Sequence, residues 1–226
     1  AIEQHGPHLP VAVDALMGQA WLAHALPKLD PDLPVYVAPP VTVGKSNEHT
    51  GFPGTLMISK ETLRELLALL ASRVFDWDFG GLAVLNTHGG NTSVIQYTLR
   101  EIRERHARPA AMLRFGLDLE IPHQDAVSGF PAGEVESSWI YAVAPDLCEP
   151  SAAPEEFPAF IDDPGELRPE AAPATFAWAT SDLSQTGVMG NAARATAEKG
   201  HDWIERMSTA LAESITQFTR ALNRND

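Results

Sequence analysis

The sequence predicts an α/β domain built on a mainly parallel sheet, and three observations carry that expectation. Two short apolar runs, Leu82-Ala83-Val84-Leu85 and Ala110 to Leu113, have the length and composition of strands covered on both faces. Between them Thr92 to His106 repeats Val94, Ile95, Leu99 and Ile102 at helical spacing, so the order is strand, helix, strand. The polar segment Asn86-Thr87-His88-Gly89-Gly90-Asn91 stands where the first run ends, the edge at which open α/β sheets bind ligands.

Composition narrows the function classes. The 226 residues suit one large domain with a substantial core. The formal net charge of -14, from 16 basic and 30 acidic residues, argues against nucleic acid or an anionic membrane as partner. Cys148 is the one cysteine, so no intramolecular disulfide forms, in keeping with the cytoplasmic location expected here. No apolar run is long enough to span a bilayer, and no signal peptide is visible.

The segment Ala1 to Asp14 gathers Glu3, His5, His8 and Asp14 around Gly6, Pro7 and Pro10. Glu3 and His5 leave the same face if the chain is extended there. Carboxylate and imidazole suit a Zn, Mn or Fe ion, although a Glu-x-His pair alone is weak evidence for one. A strand leading into Glu3 is expected, of which this sequence holds only the last residues. Ala15 to Leu26 reads as a helix with Leu16, Ala20, Leu22 and Leu26 as its stripe, ended by Pro27. Val35 to Ala38, apolar between prolines, reads as a buried strand. Val41 to Thr55 is a polar loop carrying Lys45, Ser46, Asn47, Glu48 and His49, either a functional loop or a solvated connection.

Ser59 is a good N-cap for a helix from Thr62 to Phe75, which Gly80-Gly81 follow. At the sheet edge, His88-Gly89-Gly90-Asn91 either cradles a phosphate or offers His88 as a ligand. No full glycine fingerprint or nearby lysine accompanies it, which favours the ligand. Residues 118 to 135 read as loop. Glu134 and Glu136 then open a helix to Ala144, where acidic residues also stabilise the helix dipole. Residues 145 to 175 form a proline-rich, acidic surface excursion. Phe176 to Ala179 is a possible strand, and Ser181 to Asn191 a turn-rich loop. An amphipathic helix, Arg194 to Leu222, closes the chain, weakened early by Gly200.

Together these segments resemble the creatininase family of metal-dependent amidohydrolases. The resemblance rests on Glu3 to Pro10 followed by Asp14, on Glu48 to Thr55, on His88 to Asn91, on Pro131 to Ser138 and on Ser184 to Gly190. It implies a single domain, a three-layer α/β/α sandwich. It implies a pair of divalent ions (Zn, Mn or Fe), hydrolysis of a C–N bond in a small-molecule amide, and a homo-oligomer, often a hexamer. Carried over by position, Glu3, His5, Asp14 and His88 match metal ligands, with Asp14 as the bridge. Glu136 is expected at the metal centre as ligand and proton shuttle, with His49 as a further catalytic group. Glu48, Asn91 and Glu134 are expected to bind substrate.

Two departures stand out. Creatininase proper has a tyrosine and a metal-binding glutamate where this chain has Gly89 and Gly90, so Glu136 becomes the substitute carboxylate. Pro131 replaces a family histidine, which moves that role to His123 or His49, changes the substrate or impairs the activity. A formamide deformylase, a peptidase and an impaired metal- or ligand-binding member are the alternatives.

Overall fold

In the computed structural model, residues 1–116, 119–129, 131–159 and 177–222 are described. Strand β1 (Leu82–Val84) pairs in parallel with β2 (Ala110–Met112), in register Leu82 with Ala110, through helix α3 (Thr92–His106). The α/β expectation therefore holds at its centre. The helix bounds match because the residue after His106, Ala107, adopts the left-handed conformation that stops a helix. Helix α2 (Lys60–Asp76) starts at the expected N-cap, where Ser59 Oγ accepts from the Thr62 amide at 3.1 Å.

Helices lie on both sides of this pair. Ala71 and Phe75 of α2 and Ile95, Leu99 and Ile102 of α3 form one core, which Leu82, Val84, Ala110 and Met112 join. On the other side Leu85, Leu113 and Phe115 pack against the larger core. That core is formed by α1 (Val13–Ala25), α5 (Glu134–Val143) and α7 (Ala197–Leu222), through Val13, Met17, Trp21, Trp139, Ile140, Trp203, Ile204 and Leu211. The buried stripe of α1 is Val13, Met17, Trp21 and Ala25, not the leucine stripe expected. Trp21 decides this: it stacks edge-on against Trp139 and Phe115, burying more apolar area than a leucine.

Several expectations are corrected. Val35 to Ala38 forms no ladder, and Tyr36 and Val37 are 78% and 52% exposed; only Val35 reaches the core. Flanking Pro34, Pro39 and Pro40 leave only four amides to pair, and that of Val35 turns back to Leu33 O at 2.8 Å. The 118–135 loop contains a short helix, α4 (His123–Ser128). Ala177 to Ala179 is not a strand and leads into α6 (Thr180–Leu183); Phe176 lies outside the described residues, as does 160–175 of the excursion. Before that, Glu155–Glu156 (β3) pairs antiparallel with Gly190–Asn191 (β4), tying the excursion to the late loop. Ile2 bridges Leu56, and Gly44 bridges Met57, so the N-terminal segment and the polar loop meet.

Candidate metal centre

The polar segments from four parts of the chain converge at the start of α1. Ile2 and Leu56 hold the N-terminal segment to the polar loop, and the Glu3 amide donates to Val11 O at 2.9 Å. The first turn of α1 carries Asp14, and the end of β1 delivers His88. Glu3, His5, Asp14, His49 and His88 are all at least 95% buried. Burying this much charge is costly unless the groups neutralise one another or hold a cation.

Two triads share one residue. Glu3, Asp14 and His88 bring one ligand atom each within 4.8 Å of one another, and so do His5, Asp14 and Glu136. His88 Nδ1 lies 3.0 Å from Glu3 Oε1 and 3.6 Å from Asp14 Oδ2. His5 Nε2 lies 3.6 Å from Glu136 Oε2 and 4.0 Å from Asp14 Oδ1. The His5 ring is fixed from behind, because Nδ1 sits 3.1 Å from the Glu3 carbonyl, which leaves Nε2 facing the carboxylates. Glu3 Oε2 is buried with no hydrogen-bond partner, while Asp14 Oδ2 faces the Ala1 nitrogen at 3.0 Å. An orphaned carboxylate oxygen among carboxylates and imidazoles belongs to the donor set that Zn and similar ions take, so the residues fit a divalent ion at each triad.

The electrostatics agree with an anionic pocket. Burial alone would raise the Glu3 carboxyl, but the hydrogen bond and charge of His88, with His49 and His5, take it down to about 2. Burial dominates at Asp14 and, helped by Glu3, raises it to about 6 against the pull of His5 and His88. Burial would lower His88, yet its bonds to Glu3 and Glu48 win and push it well above the usual imidazole range. The site thus draws positive charge to the point between Glu3 and Asp14.

Glu136 reaches the centre from α5, and the turn before it does the aiming. Ala132 is fully buried in the left-handed region (φ 58°), and its amide donates to Glu136 Oε2 at 2.6 Å. Glu134, two residues earlier, points elsewhere. Its two oxygens accept from Arg194 at 3.3 Å and Lys199 at 2.6 Å, and it joins α5 to the start of α7. Two residues apart on a helix are about 200° apart, so one of this pair faces the centre and the other does not. Pro131 offers only its carbonyl, which accepts from Met189 N, and His123 is exposed on α4.

Two of the three expected substrate contacts, Glu48 and Asn91, are placed behind His88. Its Nε2 faces Lys45 O at 3.1 Å, Glu48 Oε1 at 3.2 Å and Ser46 Oγ at 3.4 Å. Asn91 holds that loop in place by accepting from the Lys45 amide at 2.9 Å. Gly90 makes the approach possible: a Cβ there would overlap Glu48 Oε1 and lie 2.5 Å from His88 Nε2. The carboxylate of Glu48 therefore fills the room that a side chain at position 90 would need.

Two residues to which the sequence assigned no role, Gln4 and His8, complete the shell. Gln4, 5% exposed, touches His49 and Gly187. His8 is 1% exposed, with Nε2 at 2.7 Å from Ser137 Oγ and Nδ1 unpartnered. Both stand inside the motif from Glu3 to Pro10, and their proximity to the ligand candidates was the available signal. Burial, and less so the charge of His5, lowers the His8 imidazole to about 4. Its folded value lies below the unfolded one, so its contribution is complete above pH of about 6.5 and is lost as pH falls toward 4. The contribution amounts to about 3 kcal/mol at most. Urea unfolding of the metal-free chain at pH 7 and pH 5 is expected to show this loss, and His8→Gln to reduce it; an unchanged pH slope in the variant would count against it.

Comparison with known proteins spans nearly the whole chain. A family model described as creatinine amidohydrolase matches residues 1–215. The mycofactocin precursor peptide peptidase of Mycolicibacterium smegmatis is 29% identical over 226 residues, covering 96% of this chain and 81% of that protein. A structure of a putative creatinine amidohydrolase from Bacteroides fragilis superposes with a TM-score of 0.80 at 22% identity, over 97% of this chain and 87% of that one. A mutant creatininase of Zn–Zn type superposes with a TM-score of 0.70 at 21% identity, over 97% and 88%.

Proposed function

The chain belongs to the creatininase family of hydrolases, and on that premise we propose that it is a metal-dependent amidohydrolase that cleaves an amide C–N bond with water. The observation that carries the reading is the pair of triads joined through buried Asp14, with Glu3 Oε2 buried and unpartnered. Glu3, Asp14 and His88 would hold one divalent ion, and His5, Asp14 and Glu136 the other. The Zn–Zn type of the structural neighbour supports two ions of that kind. When bound, such ions polarise a carbonyl and lower the pKa of water toward neutrality.

The chain's own groups then divide the work. Glu136 is the one carboxylate of the two triads with substantial exposure, its side chain 25% open against 2% and 3% for Glu3 and Asp14. Its carboxylate takes the water's proton and passes it to the leaving nitrogen. The products are an acid and an amine. Glu48 and Asn91 act through His88 and its loop, and Glu134 is a structural clamp; none of the three is assigned a substrate contact. Buried His49 Nε2 lies 3.3 Å from the Glu3 carboxylate, which favours it over exposed His123 as a polar group of the site.

Relatives named as acting on a precursor peptide add a peptide amide to the cyclic and formyl amides as substrate class. Val11, Leu56 and Met57, exposed beside the N-terminal segment, support the expected homo-oligomer. No described helix is long and apolar enough to cross a membrane. The test is a panel of cyclic amides, formamides and short peptides with Zn-loaded protein. Glu136→Gln is expected to lower kcat by about 10²–10⁴-fold on whichever is cleaved. Full activity in that variant would remove Glu136 from the reaction, and metal binding without any hydrolysis would favour an impaired member.

A further inference from the structure

Gln4 carries a side-chain amide whose three hydrogen-bonding contacts leave only one orientation. Its Nε2 donates to Gly187 O at 2.9 Å, and its Oε1 accepts from the Gly6 amide at 3.0 Å. Turning the amide over would set oxygen against a carbonyl and N–H against N–H. The second N–H of Nε2 therefore points at His49 Nδ1, 2.8 Å away. A nitrogen that accepts from an amide N–H carries no proton of its own, so a neutral His49 holds its proton on Nε2. That atom faces Glu3 Oε1 at 3.3 Å.

From this chain of donors we infer that Gln4 is a positioning residue that fixes His49 as the neutral Nε2–H tautomer, a donor to Glu3 and not a base. The consequence for the centre is directional. Glu3 Oε1 accepts from His49, while Oε2, buried and unpartnered, is left to face a cation. The relay has a fixed foundation. Gly187 (φ 83°) lies so close that a Cβ there would overlap Gln4 Oε1 and sit 2.6 Å from its Cδ. The 184–186 segment before it is pinned by Glu156, which accepts from Ser184 Oγ at 2.9 Å, Gln185 N at 2.6 Å, Thr186 N at 3.0 Å and Thr186 Oγ1. The excursion strand β3 thus holds the loop that orients Gln4. The tautomer stands on geometry alone; its effect on a cation rests on the proposed function.

The experiment is ¹⁵N NMR of the histidine rings in the metal-free chain at neutral pH, with Zn affinity measured by chelator competition. The wild-type spectrum is expected to show His49 protonated on Nε2 and bare on Nδ1. Gln4→Met, near in size but without a donor, is expected to lose that single tautomer and to weaken Zn binding about 10- to 100-fold, with helical circular dichroism retained. In a His49→Ala background the same substitution is expected to change Zn affinity by less than about 3-fold. A wild-type His49 protonated on Nδ1, or an unchanged tautomer in Gln4→Met, overturns the inference, and the wild-type spectrum decides even if the variant fails to fold. Absence of Zn binding in the wild type, with the Nε2–H tautomer present, overturns the metal reading and leaves the tautomer assignment standing.

Discussion

Asp14→Asn is expected to empty both halves of the centre at once. Asp14 is the one residue common to the two triads, so its loss removes a ligand from each. Removing an outer-shell partner of a metal ligand already costs about 10- to 100-fold in affinity, and a shared ligand is expected to cost more. Metal content after purification should fall from about two equivalents per chain toward zero, with hydrolysis falling alongside. Stability should move the other way. Burial holds the Asp14 carboxyl high, at about 6, so near neutral pH the metal-free fold keeps a charge it would rather neutralise. A neutral amide of the same shape relieves that cost. The metal-free variant is therefore expected to melt at or above the wild-type temperature. Metal retained at wild-type stoichiometry would end the bridging assignment, and a collapsed metal-free variant would show that Asp14 serves the fold instead.

Gly200→Ala sets local propensity against packing. In an exposed helix the change would stabilise by about 0.5–1 kcal/mol, since glycine costs the most backbone entropy. In α7 the glycine lies against α5: a Cβ would overlap Ser138 O and lie 2.6 Å from its carbonyl carbon and 2.9 Å from Ala142 Cβ. The near atoms are helix backbone, which has little room to retreat. The expected result is a loss of about 1–3 kcal/mol, the usual cost of overpacking a dense core. For a chain of this size that lowers Tm by about 3–10 °C. An unchanged or raised Tm would mean that α5 and α7 separate freely, and that the contact is not what makes glycine necessary there.

The same glycine shows where sequence stops being informative. Read along the chain, Gly200 is only a weak point in a long helix. Its meaning appears when α5, sixty residues earlier, is laid across it. The βαβ centre was legible because it is local: apolar runs of strand length and a helix with caps fix their own structure within a few residues. The ligand candidates Glu3, His5, Asp14 and His88 came from residue types together with the family resemblance of their motifs, and the structure brings all four together. Val35 to Ala38 misled because apolar content without a neighbouring strand makes no ladder, and the flanking prolines keep the run to four amides.

What the sequence by itself determined was the α/β centre, the family and the residue types of the site. Only the tertiary structure decided how those residues divide. Glu134 and Glu136 look alike in sequence, yet the turn of α5 gives one to Arg194 and Lys199 and the other to His5. Glu48 became a partner of His88 because Gly90 leaves room behind the ring. Gln4 acquired a role because Gly187, 183 residues away, fixes its amide. In each case the deciding contact is a hydrogen bond or an overlap across a long stretch of chain. Such contacts depend on distances of a few tenths of an ångström, which spacing along a sequence does not encode.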